Sequence, residues 1–171
     1  MAKLTVPIDS ADEHAKELGR LIAHWAVIEH LLVDLLGALL KINQSRAQLI
    51  WAEYSAFAVK IRLLRRCTYC YVPDCQQKSD LFKLLGKIND LNDIRNKYVH
   101  ATWAAGRSDK SLTLIHGTPP SDYKKRVKNA ENVLASTLEA DRLRIDELYM
   151  KILRFVIDEL PKMPIHDLPH E

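Results

Sequence analysis

A run of apolar residues at alternating steps of three and four constrains this chain more than any other feature. Its members are Leu18, Leu21, Trp25, Ile28, Leu32, Leu35, Leu39 and Ile42. Because steps of three and four return to the same side of an α-helix, the run predicts one long helix packed lengthwise against others. Ser10 and Glu13 have the spacing of a capping box, so we place the start of this helix at Ser10.

Three more long helices follow from the same periodicity. The second is predicted to begin after Ser45 and to end at Pro73, since proline cannot continue a helix. Its apolar seam is Ile50, Tyr54, Phe57, Ile61, Leu64, Thr68 and Tyr71. The third is predicted to start near Asp74 and to fade near Ala101, and the last to run from about residue 137 to 160.

Strand signals are confined to the segment after the third long helix. Leu112 and Leu114 alternate with polar residues behind a polar turn at 106–110, which predicts a short hairpin after Trp103. We therefore predict an all-α protein: an antiparallel four- to five-helix bundle with a short β-hairpin or extended loop after the third long helix. Residues 1–171 are expected to form a single domain, with 1–9 and 161–171 irregular.

The composition sets the class of protein and its surroundings. A 47% hydrophobic and 27% charged chain of 171 residues suits one folded domain. The net charge of +3 allows an anionic partner without requiring one. Glu29, His30 and Asp34 interrupt the most apolar stretch, 25–40, which argues against a membrane span. No export signal is visible near the first residue, so we expect a cytoplasmic protein without membrane contact.

The cysteines and histidines do not form a recognisable metal-binding pattern. Cys67, Cys70 and Cys75 include one CxxC spacing, but a structural zinc site needs further ligands that the neighbouring sequence does not offer. Three thiols so close together fit reduced cytosolic cysteines better than a disulfide framework. His30 and Asp34 lie one helical turn apart without a third ligand. The expectation is therefore no metal and no cofactor.

One residue of the third long helix breaks its apolar seam. Steps of three and four place Arg95 between Leu91 and Tyr98, although a buried guanidinium needs a carboxylate, a carbonyl or a bound anion. Asn96 and His100 are four residues apart and share a face, about 100° from the face of Arg95. The three side chains can therefore converge only if the helix end loosens or two helices meet there.

The segment Arg95-Asn96-Lys97-Tyr98-Val99-His100 resembles the Arg-polar-x3-His pattern of the HEPN superfamily. Trp25-x2-Ile28-Glu29 and His100-x2-Trp103 also resemble uncharacterised bacterial members of that group. The resemblance covers residues 10–160. It implies a compact helical bundle, commonly a homodimer in which the motifs of both chains face one cleft. Many members with the motif are metal-independent endoribonucleases, often toxins of toxin–antitoxin or phage-defence systems, whereas others bind nucleotides or serve as interaction domains.

These residue types suit the cleavage of RNA by its own 2′-hydroxyl. Histidine, with an ordinary pKa near about 6.5, accepts or donates a proton near neutrality. The guanidinium of Arg95 offers a planar fork of donors to phosphate oxygens, and Asn96 is placed to orient His100 or to donate to the phosphate. We therefore predict a catalytic set of Arg95, Asn96 and His100, acting on RNA in a homodimer, with a possible antitoxin as a further partner.

Two further groups of residues are predicted to assist this site. Glu29, Tyr98 and Trp103 are expected to support it, and Lys97, Arg62 and Arg66 to contact RNA. A basic run at 124–128 is a further candidate for phosphate contacts. For this run, as for Arg62 and Arg66, a solvated basic surface is the favoured explanation.

Structural explanations stay open beside the catalytic one. Arg95 can form a buried ion pair with Glu29, and His100 can simply end a helix, where its cationic form interacts favourably with the helix dipole. The alternative function is a non-catalytic HEPN-like module that binds a nucleotide or a partner protein.

Overall fold

The computed structural model describes residues 12–105, 111–115 and 130–166. Five α-helices are present among these residues, and the predicted all-α class is confirmed. They are α1 (Asp12–Leu40), α2 (Gln44–Ala52), α3 (Phe57–Tyr71), α4 (Gln76–Val99) and α5 (Ala135–Arg154). A π-helical turn (Phe155–Glu159) and a 3₁₀ turn (Leu160–Lys162) continue α5. The predicted cap at Ser10 and the basic run at 124–128 lie outside the described residues.

The prediction of one continuous second helix was wrong, because the chain breaks between Ala52 and Phe57. Trp51 is buried and Phe57 packs on Trp25, with 5.2 Å between ring centroids. Six residues of helix turn through about 600°, so an unbroken helix would hold these two side chains about 120° apart around its axis. The break allows both aromatic rings to pack inward. It leaves Tyr54, a member of the predicted seam, exposed.

The connection between α1 and α2 is tight. Lys41 adopts a left-handed φ of 52°, and the backbone N–H of Ile42 donates to the carbonyl of Gly37 at 3.0 Å, a common helix ending. A Cβ at Gly37 would lie 3.2 Å from the carbonyl oxygen of Ile42, so a larger residue there would crowd this turn. Asn43 caps α2 by accepting from the backbone N–H of Arg46 at 3.0 Å.

The predicted hairpin is present, and a third strand extends it. Strands β1 (Thr102–Ala105), β2 (Ser111–Ile115) and β3 (Ala130–Leu134) form an antiparallel sheet in the order β1-β2-β3. Trp103 pairs with Leu114, and Leu112 pairs with Val133. The side chains of Leu112, Leu114 and Val133 are buried, so one face of the sheet packs on the protein, as the alternation predicts.

The chain divides into two compact units. Unit 1 comprises residues 1–24 and 93–146, and unit 2 comprises residues 25–92 and 147–171. Unit 1 contains the sheet, the end of α4 and the first half of α5. Unit 2 contains α2, α3 and most of α4. The expectation of a single domain stays a prediction.

The apolar first helix has two properties that bear on the predictions. By length and composition α1 could cross a membrane, but half of its most apolar stretch is buried inside the structure, and core helices pass the same test. Leu31 lies outside the main apolar seam of α1, but it is only 8% exposed and packs within its own chain. The exposed apolar residues of α1 are instead Ile22 and Val27.

Candidate functional site at the end of α4

The helix α4 ends at Val99, one residue before His100. The backbone N–H of His100 still donates to the carbonyl of Asn96 at 3.1 Å, but the chain bends there and enters β1. The imidazole is exposed, whereas Arg95 and Asn96 are half-buried. The helix end therefore loosens at the point where the sequence requires it for the three side chains to meet.

A single guanidinium nitrogen joins the three side chains. Nη1 of Arg95 donates to Oδ1 of Asn96 at 3.0 Å and lies 3.2 Å from Nε2 of His100. The structure thus brings together the three residues that the sequence predicted as a catalytic set.

The contact with Arg95 fixes the form of the imidazole. A guanidinium can only donate hydrogen bonds, so Nε2 of His100 must accept and carries a lone pair. The proton of the neutral ring then sits on Nδ1. The ring accordingly presents a basic nitrogen beside a fixed positive charge and next to solvent. If a bound anion draws the guanidinium away, Nε2 can take a proton from a bound hydroxyl while the cation of Arg95 lies against the anion.

Tyr98 holds the chain immediately before His100. Its side chain is fully buried, and its hydroxyl donates to Oδ2 of Asp141 on α5 at 2.5 Å. Burial first, and then the bond to Asp141, raise the pKa of the Tyr98 phenol above its ordinary value of 10. The phenol is therefore a permanent donor near neutral pH, and it ties the last turn of α4 to α5.

Trp103 holds the chain after His100. Its indole N–H donates to the backbone carbonyl of Tyr98 at 3.1 Å, and the two rings stack with centroids 6.1 Å apart. His100 is thus exposed on a short segment whose two flanks are anchored, which limits how far the imidazole can move from Arg95. Tyr98 and Trp103 therefore both contact the chain beside His100, and their supporting role in a catalytic site stays a prediction.

Lys97 is engaged in the structure of unit 1. Its ammonium forms an ion pair with Glu131 of β3 at 2.8 Å and lies over the Tyr98 ring, 5.2 Å from the ring centroid. A residue that ties α4 to the sheet is poorly placed to bind phosphate as well. The predicted RNA contact of Lys97 is therefore weaker than its structural role.

The other predicted residues lie in unit 2. Glu29 accepts a hydrogen bond from the indole N–H of Trp25 at 2.9 Å. Arg62 and Arg66 lie one turn apart on α3, both exposed, and the structure records no ion pair for either among the described residues. Two unpaired cations on one helix face remain available for a polyanion.

A second polar cluster in unit 1 had no signal in the sequence. Arg142 on α5 pairs with Glu17 of α1 at 2.5 Å and also with Asp146, which contacts His24. Burial raises the pKa of Glu17, but the hydrogen bond and charge of Arg142 outweigh it and hold this pKa below 4.5. Arg142 and Asp146 are one helical turn apart, but each contacts a residue of α1 more than a hundred positions away, and spacing rules could not have found those two contacts.

Neither metals nor reactive thiols compete with the α4 cluster as a site. No group of three or more potential metal ligands occurs among the described residues. Burial, and then the neighbouring Cys70, raise the pKa of the Cys67 thiol, which makes it a poorer nucleophile.

Comparisons with known proteins add no assignment to this geometry. No protein-family model matches the chain, and neither the curated proteins nor the solved structures include a significant match. The fold and the site define the class: a mainly helical protein with an Arg–Asn–His cluster, in which the histidine is exposed, at the end of a long helix.

Proposed function

We propose that this chain is a HEPN-type, metal-independent endoribonuclease that cleaves RNA by attack of the internal 2′-hydroxyl. The observation that supports it best is the distance of 3.2 Å between Nη1 of Arg95 and Nε2 of the exposed His100. A base and an anion-binding fork at this separation match a 2′-hydroxyl and its adjacent phosphate.

Two histidines account for the two proton transfers of the proposed reaction. Nε2 of His100 takes the proton from the 2′-hydroxyl, and the 2′-oxygen forms a bond to phosphorus. The bond from phosphorus to the 5′-oxygen breaks, and a protonated imidazole supplies the proton that this leaving group needs. Arg95 stabilises the charge that builds on the phosphate oxygens. When phosphate draws the guanidinium away from His100, the lone pair on Nε2 becomes free to act as the base.

A homodimer would provide the second histidine of this scheme. His100 of one protomer would act as base and His100 of the other as acid, across a shared cleft. We propose a dimer that buries at least roughly 1,000 Å², the lower range for specific interfaces. The exposed Ile22 and Val27 of α1 are candidates for apolar contacts. Light scattering that reports a monomer at micromolar concentration would contradict this part of the proposal.

The cellular setting that we propose is a cytoplasmic toxin or phage-defence component, neutralised by an antitoxin. An RNA-cleaving protein is harmful to its own cell, so a partner that blocks the site is expected. Expression of the parent chain should arrest growth, and a His100→Ala chain of equal abundance should not.

The experiment that tests the nuclease is cleavage of single-stranded RNA in excess EDTA. Internal attack produces fragments that end in 2′,3′-cyclic phosphate, and a substrate with 2′-deoxyribose at the cut site should stay intact. Arg95→Lys should be severely impaired, because an ammonium keeps the charge and loses the fork. Fragments with 3′-hydroxyl ends, or dependence on a divalent metal, would contradict the mechanism.

One observation favours the alternative, a non-catalytic binding module. Arg95 already has two partners in its own chain, Asn96 and His100, and such a satisfied cluster can serve structure alone. If a broad panel of RNA stays uncut while a nucleotide protects the fold against heat, the binding module is the correct function.

A further inference from the structure

A pocket of about 400 Å³ lies within unit 2. Small-molecule sites commonly measure about 300–1,000 Å³, so this volume is sufficient for a small metabolite. Its floor is formed by the buried side chains of Val33 and Trp51. Its rim carries His30 and Gln48, which are exposed. An apolar floor beneath a polar, open rim is typical of a ligand site.

Two opposite charges line this pocket without neutralising each other. Glu29 and Lys60 are both half-buried there, and no ion pair joins them. Glu29 takes one hydrogen bond from protein, at Oε1 from the Trp25 indole. Among the described residues the ammonium of Lys60 has no carboxylate partner and lies over the ring of Trp51, 5.0 Å from its centroid. A half-buried charge without a counter-charge is costly, and a ligand with the opposite charge reduces that cost.

The pair of charges selects the class of ligand. A simple anion would meet the carboxylate of Glu29, and a simple cation would meet the ammonium of Lys60, so each would gain one contact and suffer one repulsion. A flat aromatic base would need an open ring face for stacking. Trp51 is 3% exposed and already lies under Lys60, so it offers no such face. A small molecule that carries both a positive and a negative charge can pair with Glu29 and with Lys60 at once.

We propose that this pocket binds a free α-amino acid, with the ligand's ammonium at Glu29 and its carboxylate at Lys60. The apolar floor then receives the ligand's side chain, which favours an aliphatic amino acid over a charged one. This proposal does not rest on RNA cleavage, because it is argued from contacts of Glu29 and Lys60 and not from those that join Arg95, Asn96 and His100.

The test uses isothermal titration of the full chain with free proteinogenic amino acids at millimolar concentration. We expect at least one aliphatic amino acid to bind. Its N-acetyl derivative, which lacks the ammonium, and its amide, which lacks the carboxylate, should each bind on the order of tenfold to a hundredfold more weakly. If no free amino acid binds, or if both derivatives bind as tightly as the parent compound, the proposal is overturned.

Variants connect the binding to the two charges. Glu29→Gln keeps an oxygen that can accept from Trp25, and Lys60→Met keeps an aliphatic stem against Trp51, so both are expected to fold, with circular dichroism as the check. Each should weaken binding by about tenfold or more. Lys83→Met, at an exposed ion pair on α4, is the matched control and should bind as the parent does. Equal affinity in all three variants would place the ligand elsewhere and overturn the proposal.

Discussion

The two compact units differ in what they bury. The largest fully buried side chains of unit 2 are aliphatic, and the polar residues buried in this unit, Thr68 and Asn92, are uncharged. The aliphatic residues are Ile28, Leu32, Leu35, Leu36, Leu39, Leu64, Leu81, Leu85 and Ile88. Unit 1 buries leucine and isoleucine too, but also His14, Glu17 and the phenol of Tyr98. The change occurs within one helix, because the first half of α1 buries polar residues and the second half buries leucines.

This difference bears on how strictly each unit orients its side chains. Apolar burial is non-directional, so unit 2 needs shape and volume more than particular partners. Buried polar groups need partners at fixed distances and angles. Among the described residues every buried side-chain nitrogen or oxygen has such a partner. Unit 1 therefore orients its side chains more strictly, and Arg95, Asn96 and His100 belong to that unit.

The largest change in stability is expected from the aliphatic core of unit 2. Leu36 is fully buried, so Leu36→Ala should lower the free energy of unfolding by about 2–5 kcal/mol, through lost burial and the cavity left behind. Leu49, on α2 of the same unit, is 69% exposed, and Leu49→Ala is the matched control. Urea unfolding measures both. Equal losses in the two variants would mean that burial does not separate them.

A smaller loss is expected from the ion pairs of unit 1. Glu17→Gln should cost about 2 kcal/mol near neutral pH, less than the roughly 3–5 kcal/mol of a fully isolated buried charge, because Arg142 keeps Asp146. The folded pKa of Glu17 lies below 4.5, so its stabilisation is present above that pH and is lost as pH falls through the folded pKa. The parent and the variant should therefore converge in acid. If the difference in unfolding free energy between the parent and the variant stayed constant down to low pH, the stabilisation would not come from the ionised Glu17.

Tyr98→Phe should cost about 1 kcal/mol by removing the hydrogen bond to Asp141. The folded pKa of this phenol is raised above 10, so its contribution is present below that pH and is lost as pH rises toward the folded pKa. Thermal unfolding should be measured for the parent and the variant at neutral and alkaline pH. The difference between their unfolding temperatures should narrow above pH 10. If the difference in thermal stability between the parent and the variant widened with rising pH, folding would lower the pKa of Tyr98 and not raise it.

The smallest effect is expected at the exposed ion pairs of unit 2. Lys83 and Asp80 form a pair at 3.2 Å with side chains 67% and 48% exposed. Water and salt screen such a pair, so Lys83→Ala should leave the unfolding midpoint unchanged within error. A loss as large as that of Glu17→Gln would remove the distinction between buried and exposed charges.

Much of the fold follows from local patterns, whereas the pairings across the chain do not. The seam from Leu18 to Leu39 predicted α1, and the alternation of Leu112 and Leu114 predicted the hairpin. The break before Phe57 was missed because the apolar period runs through it, and only the packing of two aromatic rings requires it. Strand β3 was missed because it is short and directly precedes a helix.

The candidate site also combines contacts that local patterns predicted with contacts across the chain that they did not. Arg95, Asn96 and His100 lie within six residues, so their spacing and the end of the helix were enough to predict their meeting. Asp141, which anchors Tyr98 from 43 residues away, gave no local signal. Contacts at that separation depend on tertiary packing, which periodicity does not encode.

The central claim is that the cluster at the end of α4 is catalytic, and the rate of RNA cleavage by His100→Ala tests it most directly. The matched control is His166→Ala, which removes an exposed imidazole near the end of the described chain. Both variants must retain the circular dichroism and the oligomeric state of the parent. The account predicts a loss on the order of 10²–10⁴ in the rate of His100→Ala, the usual range for a general acid–base group, and no loss in His166→Ala. A folded His100→Ala protein that cuts RNA as fast as the parent would contradict it.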